Sequence, residues 1–420
     1  MMRPLEGLRV VDAATILAGP FAASILGEFG ASVVKVEQPG VGDPMRRLGT
    51  PGPEGDTYWW WSDTRNKTSV ELDLRAPTDA DAFRSLVAEA DVVIENYRTG
   101  TMDRWGLGFD RLRTINPRLI QLSVSGYGRV GPLAQAAGVA RIAEAFAGMT
   151  HLTGEPDRAP GLSGSAALAD YICGLYGALG VMLAVEARRG TGRGQLVDMA
   201  LYDGIARFLD EYVTVFAATG VGRDRMGSET HRSVPHNNFE SADARWVTIA
   251  CTNDKMFDRL ADVMHRQELT SDPRFATNAA RIANRPAVNA VVAQWVASAT
   301  ADAAVAACEA AGVPCSVVLT AAEYLAHPQV AARDSVLRLV DDRFGELVVP
   351  GTVPRLTETP GRVDRLGALL GESSIDEILA QWRASAARSA DRSAAQPLGH
   401  QPLGHQPLGH QGADDVATHR

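Results

Sequence analysis

The sequence predicts an α/β protein whose larger part is a mostly parallel, doubly wound sheet. Two observations carry this: short β-branched runs alternate with helix-forming stretches from Leu8 to Ser125, and the first of them closes a βαβ unit. Leu8-Arg9-Val10-Val11-Asp12 reads as a buried strand, Gly19-Pro20 opens an alanine-rich helix through Phe29, and Ala31 to Glu37 is the next strand. Thr68 to Leu74 is a third strand, followed by a helix near Thr78 to Ala90. Asp91 to Asn96 and Leu119 to Ser125 continue the alternation. Ligands of such sheets bind beyond the C-terminal strand ends, which places Asn96-Tyr97-Arg98-Thr99-Gly100 and Ser125-Gly126-Tyr127-Gly128 at the expected crevice.

Glu37, closing the second strand, stands where an acid binds the ribose of a dinucleotide. The preceding turn, Ala13 to Pro20, lacks the three-glycine pattern that lets backbone approach a pyrophosphate, which argues against a nicotinamide dehydrogenase. Arg188-Arg189-Gly190-Thr191-Gly192-Arg193-Gly194-Gln195 has no Gly-Lys-Ser/Thr ending of a P-loop and reads as a glycine C-cap and turn before the strand-like Leu196 to Met199. Trp59-Trp60-Trp61 reads as packing.

With 420 residues and 45% hydrophobic content the chain can bury a large core divided into two or three domains. A net charge of −9 argues against a general nucleic-acid or membrane-surface partner, so a phosphate-bearing ligand must be met by placed arginines. Four cysteines, Cys173, Cys251, Cys308 and Cys315, lack the spacing of a zinc site, and no secretory leader is recognisable. A reduced, cytoplasmic setting without a metal is expected. The apolar run Tyr171 to Val185 is short of the roughly 20 residues of a membrane span and reads as a core helix. Three Gln-Pro-Leu-Gly-His repeats from Gln396 to His410 form a low-complexity tail, expected to be disordered.

Asp170 stands alone between the small-residue stretch Gly164 to Ala169 and that apolar run. It is either a helix cap, since Asp complements exposed amides, or a nucleophile, since the same amides keep a carboxylate ionised for attack on a carbonyl.

The ordered segments Leu5 to Asp12, Ala18-Gly19-Pro20, Gly30 to Glu37, Asn66-Lys67, Glu95 to Gly100, Asn116 to Ile120, Leu168-Ala169-Asp170 and Thr191 to Gln195 resemble the family III coenzyme A transferases, over about Leu5 to Leu379. The resemblance implies an interlocked homodimer with a Rossmann-like large domain made from both chain ends (1–221 and 327–385). A smaller α+β domain (222–326) lies between them, and the tail (386–420) stands outside. It implies Asp170 as the nucleophile, acyl-CoA and a small carboxylic acid as substrates, and no permanently bound cofactor. For CoA it points to Ala18, Leu72, Arg75, Asn96, Tyr97, Arg98 and Arg104.

Formyl-CoA members carry a glutamine, a lysine and a glycine-rich lid where this chain has Leu17, Ala137 and no counterpart. The racemases of this fold carry a histidine where Gly138-Val139-Ala140 stands, so a two-base isomerase is the weaker alternative. Ala140 to Thr150, Leu201-Tyr202-Asp203, Pro235-His236-Asn237 and Ile249 to Phe257 look most like the transferases that move CoA from succinate to malate, citramalate or itaconate. Arg141 and His236 suit an acceptor's second carboxylate. An idle CoA-binding protein on the same fold is the remaining alternative.

Overall fold

The computed structural model describes residues 3–164 and 166–395, with side chains through 388. The tail repeats lie outside these residues. Strands β1 (Arg9–Asp12), β2 (Ser32–Glu37), β3 (Lys67–Glu71), β4 (Val92–Glu95), β5 (Ile120–Ser125) and β6 (Leu196–Ala200) form one parallel sheet in the order β3-β2-β1-β4-β5-β6. The order reverses between β1 and β4, and the crevice at that switch point is where such sheets take ligands.

The third strand is shorter than its sequence pattern. It ends at Glu71, with a last bond from the Leu72 amide to the Glu37 carbonyl at 2.8 Å, and the chain turns away where the Asp73 amide is captured by the Asp79 carboxylate at 2.8 Å. Leu72, Asp73 and Leu74 line a cleft at that turn.

Helices cover both faces of the sheet. In chain order they are α1 (Ala18–Glu28), α2 (Tyr58–Asp63), α3 (Pro77–Glu89), α4 (Thr101–Arg104), α5 (Phe109–Ile115), α6 (Ala140–Ala147), α7 (Met149–Leu152), α8 (Leu168–Thr191) and α9 (Leu201–Phe208). On one face α1 and α8 bury Ala22, Leu26, Cys173 and Val181 against Val10, Ile94 and Leu122. On the other, Phe83, Leu86 and Leu112 meet Val11, Val34 and Val93, together with Ile378 and Trp382 of the C-terminal helix Ile375–Ala395. The Trp382 indole N–H donates to the Ser32 hydroxyl at 2.8 Å, tying that helix to β2. Both ends of the described chain therefore belong to one layered core.

Gly174 sets the approach of α8 to α1. A Cβ there would lie 2.7 Å from the Ala18 carbonyl oxygen, so any other residue would push the two helices apart. Helix α8 has 24 residues, of which an 18-residue stretch has a mean hydropathy of 1.7, long and apolar enough to cross a membrane, whereas its sequence run reads as shorter. In the fold one side of it is a core helix. Its last turn carries Arg188, paired with Asp91 at 2.9 Å, while Leu175, Leu179 and Leu183 form an exposed stripe on the other side.

A second, antiparallel sheet joins β7 (His236–Glu240), β8 (Trp246–Ala250) and β9 (Cys315–Val317) over its own core of Phe239, Ile249, Phe257 and Val292. A two-stranded ladder, β10 (Val336–Asp341) and β11 (Gly345–Pro350), precedes the return to the large sheet.

Candidate active site

Asp170 does not cap its helix. Ala167 occupies that position, and Asp170 lies within the first turn, its amide donating to the Ala167 carbonyl at 3.1 Å. Among the described residues no amide donates to its carboxylate. Burial first, and then the neighbouring Glu144 carboxylate, push its pKa up from 3.8 to about 6. This overturns the expectation that helix-start amides hold the group firmly ionised. The physical reason is that the Ala169 amide donates to buried Glu144, at 3.3 Å, instead. The result is a carboxylate whose ionised form is poorly stabilised by its surroundings.

A pH dependence is the consequence of that shift. Only the ionised carboxylate attacks, so initial rates should climb about tenfold per pH unit up to about pH 6 and level off above it. Glu144→Gln removes the like charge, and the acid limb should move to lower pH. Rates across pH 4 to 8 (roughly the range that brackets this limb) for both proteins measure the shift.

The residue after Asp170 is firmly anchored. The Tyr171 hydroxyl donates to Asp63 at 2.6 Å, the Trp59 indole donates to the same carboxylate at 2.9 Å, and Phe21 meets the Tyr171 ring edge-on with centroids 4.8 Å apart. Trp60 and Trp61 are wholly buried, with the guanidinium of Arg46 over the first and that of Arg343 over the second. The packing reading of the three tryptophans holds for these two. Glu37 is committed internally, accepting from Arg46 at 2.7 and 2.8 Å and from the Ser69 hydroxyl at 2.6 Å.

Two clefts open at the strand ends. One of about 300 Å³ is lined by Thr15, Val36, Gly42, Leu72, Arg75 and Tyr97. The other, about 340 Å³, is lined by Asn96, Tyr97, Arg98, Ser125, Gly138 and Ile142. Tyr97 belongs to both walls. Of the residues named for CoA, Leu72, Arg75, Asn96, Tyr97 and Arg98 therefore come together here, whereas Ala18, buried at the start of α1, lines neither cleft. Arg75 is exposed and holds Asp73 at 2.7 Å. Arg104 is exposed on α4, donating to the Thr101 hydroxyl at 2.9 Å, and lines neither cleft. Arg141 is exposed in the first turn of α6, and His236 begins β7 with its Nδ1 3.3 Å from the Ser233 hydroxyl. Neither lines the clefts.

Three residues of the site lie outside the sequence reading. Glu144 had a usable signal, since Ala140, Ala143, Glu144 and Ala147 share one helical stripe and a carboxylate there points inward. Asp43 precedes Pro44, the signature of a capped short helix, and its carboxylate accepts from the Met45 amide at 2.9 Å. Lys35 reads as an ordinary strand residue and had none.

The strand order, with two clefts at the C-terminal ends of its strands, is that of a doubly wound α/β protein, and those strand ends are where such folds take ligands. The chain belongs to CoA-transferase family III, whose model matches residues 5–373. It is 45% identical over 376 residues to the succinyl-CoA–L-malate CoA-transferase alpha subunit of Chloroflexus aurantiacus, covering 89% of this chain and 88% of that one. The succinyl-CoA–D-citramalate CoA-transferase of the same organism is 40% identical, over 88% of this chain and 92% of that one. Among solved structures, a CAIB/BAIF family protein from Brucella suis superposes with a TM-score of 0.80 at 36% identity, over 91% of this chain and the whole of that one. The enzyme is a CoA-transferase, and CoA thioesters are its substrates.

Proposed function

We propose that the enzyme moves CoA from succinyl-CoA to a small hydroxy- or dicarboxylic acid of the malate, citramalate or itaconate type, with Asp170 as the nucleophile. The observation that carries the mechanism is the carboxylate of Asp170 in the first turn of α8, its pKa raised by burial and, among the described residues, receiving no amide. Its oxygen attacks the thioester carbonyl, the carbon–sulfur bond breaks, and an aspartyl–succinyl anhydride forms beside a CoA thiolate. The thiolate attacks the aspartyl carbonyl of that anhydride, releasing succinate and leaving an aspartyl-CoA thioester. The acceptor carboxylate attacks this thioester in turn, expelling thiolate and making a second anhydride. Attack of the thiolate on the acceptor's acyl carbon gives the new thioester and returns Asp170. One thioester replaces another, so the work of the site is positioning and charge stabilisation rather than driving force.

The nucleotide of CoA fits the cleft of Leu72, Arg75 and Tyr97, with Arg104 as a further cation at its edge, and the pantetheine arm fits the cleft of Asn96, Tyr97 and Arg98 leading toward Ala18 and Asp170. Arg141 and His236 are the proposed partners of the acceptor's second carboxylate. The exposed stripe of Leu175, Leu179 and Leu183 on α8 supports pairing with a second copy of the chain. The malate relative is named as a subunit, which makes a related second chain the competing partner.

The test is a panel of carboxylic acids offered with succinyl-CoA and read by mass spectrometry. Malate, citramalate or itaconate should give the corresponding CoA thioester, and hydroxylamine should trap an acyl group on Asp170. A panel in which none of these acids accepts CoA would sink the substrate assignment, and sedimentation of the same preparation as a monomer would sink the dimer.

A further inference from the structure

Ile16 adopts φ 65°, a left-handed backbone in which a β-branched side chain is an outlier. The residue is 37% exposed, so packing does not impose the conformation. The loop that contains it runs from β1 to α1 at the switch point of the sheet, and a different side chain holds each residue. Ala14 donates its amide to Asp12 at 3.2 Å, and its carbonyl accepts from the Lys35 ammonium. Thr15 donates to Asn96 Oδ1 at 2.7 Å and accepts from Asn96 Nδ2 at 2.6 Å. Ile16 donates to Asp43, at 3.0 Å from Oδ1 and 3.3 Å from Oδ2.

Asp43 is built for that task. It is 2% exposed, its own amide donates to Glu37, and its Oδ2 lies 3.0 Å from the Lys35 ammonium. Burial pushes its carboxyl up, but Lys35 and the Met45 and Ile16 amides outweigh that and keep it ionised. Leu17 and Ala18 immediately follow the strained residue. Leu17 is buried in a cluster with Met45, Trp60 and Trp61, and Ala167 and Tyr171, on either side of Asp170 in sequence, pack against that cluster. Ala18 brings its carbonyl to Gly174 on the same helix.

We infer that Asp43 is a positioning residue for CoA transfer: by receiving the Ile16 amide it holds the loop between β1 and α1 in a strained left-handed turn that seats Leu17 and the first turn of α1 against the helix carrying Asp170. This rests on the proposed nucleophilic role of Asp170. Loss of the bond lets Ile16 relax to negative φ, and the α1 end moves relative to the nucleophile. A displacement on that scale costs about 10²-fold in rate.

Asp43→Asn keeps the side-chain shape but offers one acceptor oxygen to three donors, Ile16, Met45 and Lys35. The expected result is a loss of kcat on the order of 10- to 100-fold and faster amide exchange across Ala14 to Ala18. Adding Ile16→Gly, which adopts positive φ without strain, should recover most of the lost kcat. A residue that served only as the counter-ion of Lys35 would show no such rescue, and its absence in a natively folded double variant overturns the proposal. Ile16→Pro approaches the loop from the other side. It forbids positive φ and removes the amide while leaving the Asp43–Lys35 pair intact, so a folded Ile16→Pro enzyme with unchanged kcat also overturns it. If the wild-type protein transfers no CoA to any acid, the catalytic reading falls, and exchange protection of Ala14 to Ala18 in Asp43→Asn still decides whether Asp43 holds the turn.

Discussion

Asp170→Ala should abolish CoA exchange, lowering the rate on the order of 10⁴- to 10⁶-fold, as removal of a nucleophile does elsewhere. The same panel assay measures it, together with the loss of any hydroxylamine-trappable acyl group. The fold should survive, because among the described residues the carboxylate makes no hydrogen bond on which the packing of α8 depends; the anchoring contacts belong to Tyr171 and Gly174. Asp170→Asn separates chemistry from stability more sharply. The folded-state pKa of about 6 lies above the ordinary value of 3.8, so the folded chain binds its proton more tightly than the unfolded one. Above pH 6 the native enzyme therefore carries a charge that opposes folding, an effect that fades as pH falls through about 6 and is gone below about 4. The asparagine variant should be inactive and melt at a higher temperature than the native enzyme at pH 7.5, with the difference vanishing near pH 4. Equal melting temperatures at pH 7.5 would contradict the desolvated environment assigned to Asp170.

Arg46→Ala carries the largest expected effect on stability. The guanidinium lies 2.7 Å from Glu37 and 2.6 Å from Asp56, donates to the Ala368 carbonyl at 3.1 Å and sits 3.8 Å over the Trp60 ring. Glu37 is buried, and its carboxyl is held low because Arg46, Lys35 and Ser69 outweigh the burial that would raise it. Removing Arg46 leaves that charge without its principal partner in a dry site, a loss of about 3–5 kcal/mol. Urea unfolding at pH 7 should show the loss, and at lower pH it should shrink, because protonating Glu37 removes the unpaired charge. The variant should also weaken CoA binding, since Glu37 and Asp43 form one wall of the cleft proposed for the nucleotide.

Glu37 shows where reading the chain alone stops. Its place at the end of the second strand is legible, because β-branched alternation marks β2 from Ser32 onward. Its partner is not, since Arg46 lies in a short helix whose direction is set by Asp43 and Pro44. Asp170 divides in the same way. Its place at the start of a long apolar helix comes from local pattern, and the ordered motifs around it point to a nucleophile. Its ionisation cannot be read there, because that depends on which carboxylate receives the one available first-turn amide, and Glu144 comes from another helix. Leu72 and Leu74 both read as strand by hydrophobic alternation, but only the Leu72 amide still bonds to β2, and the chain turns away before Leu74 because Asp79 captures it at Asp73. Arg141 and His236 suit an acid by residue type, and they stand on separate elements, α6 and β7, outside the two clefts.

The sequence by itself determined the alternation of strands and helices, the membership of the family and the carboxylate proposed as nucleophile, since periodicity, turn residues and ordered motifs are properties of neighbours along the chain. Only the tertiary structure decided the strand order, with its crevice between β1 and β4, the pairing of Glu37 with Arg46, the proximity of Glu144 to Asp170 and the left-handed turn at Ile16. Each of these depends on which distant groups share a dehydrated space, and there solvation and charge are set by packing rather than by residue type.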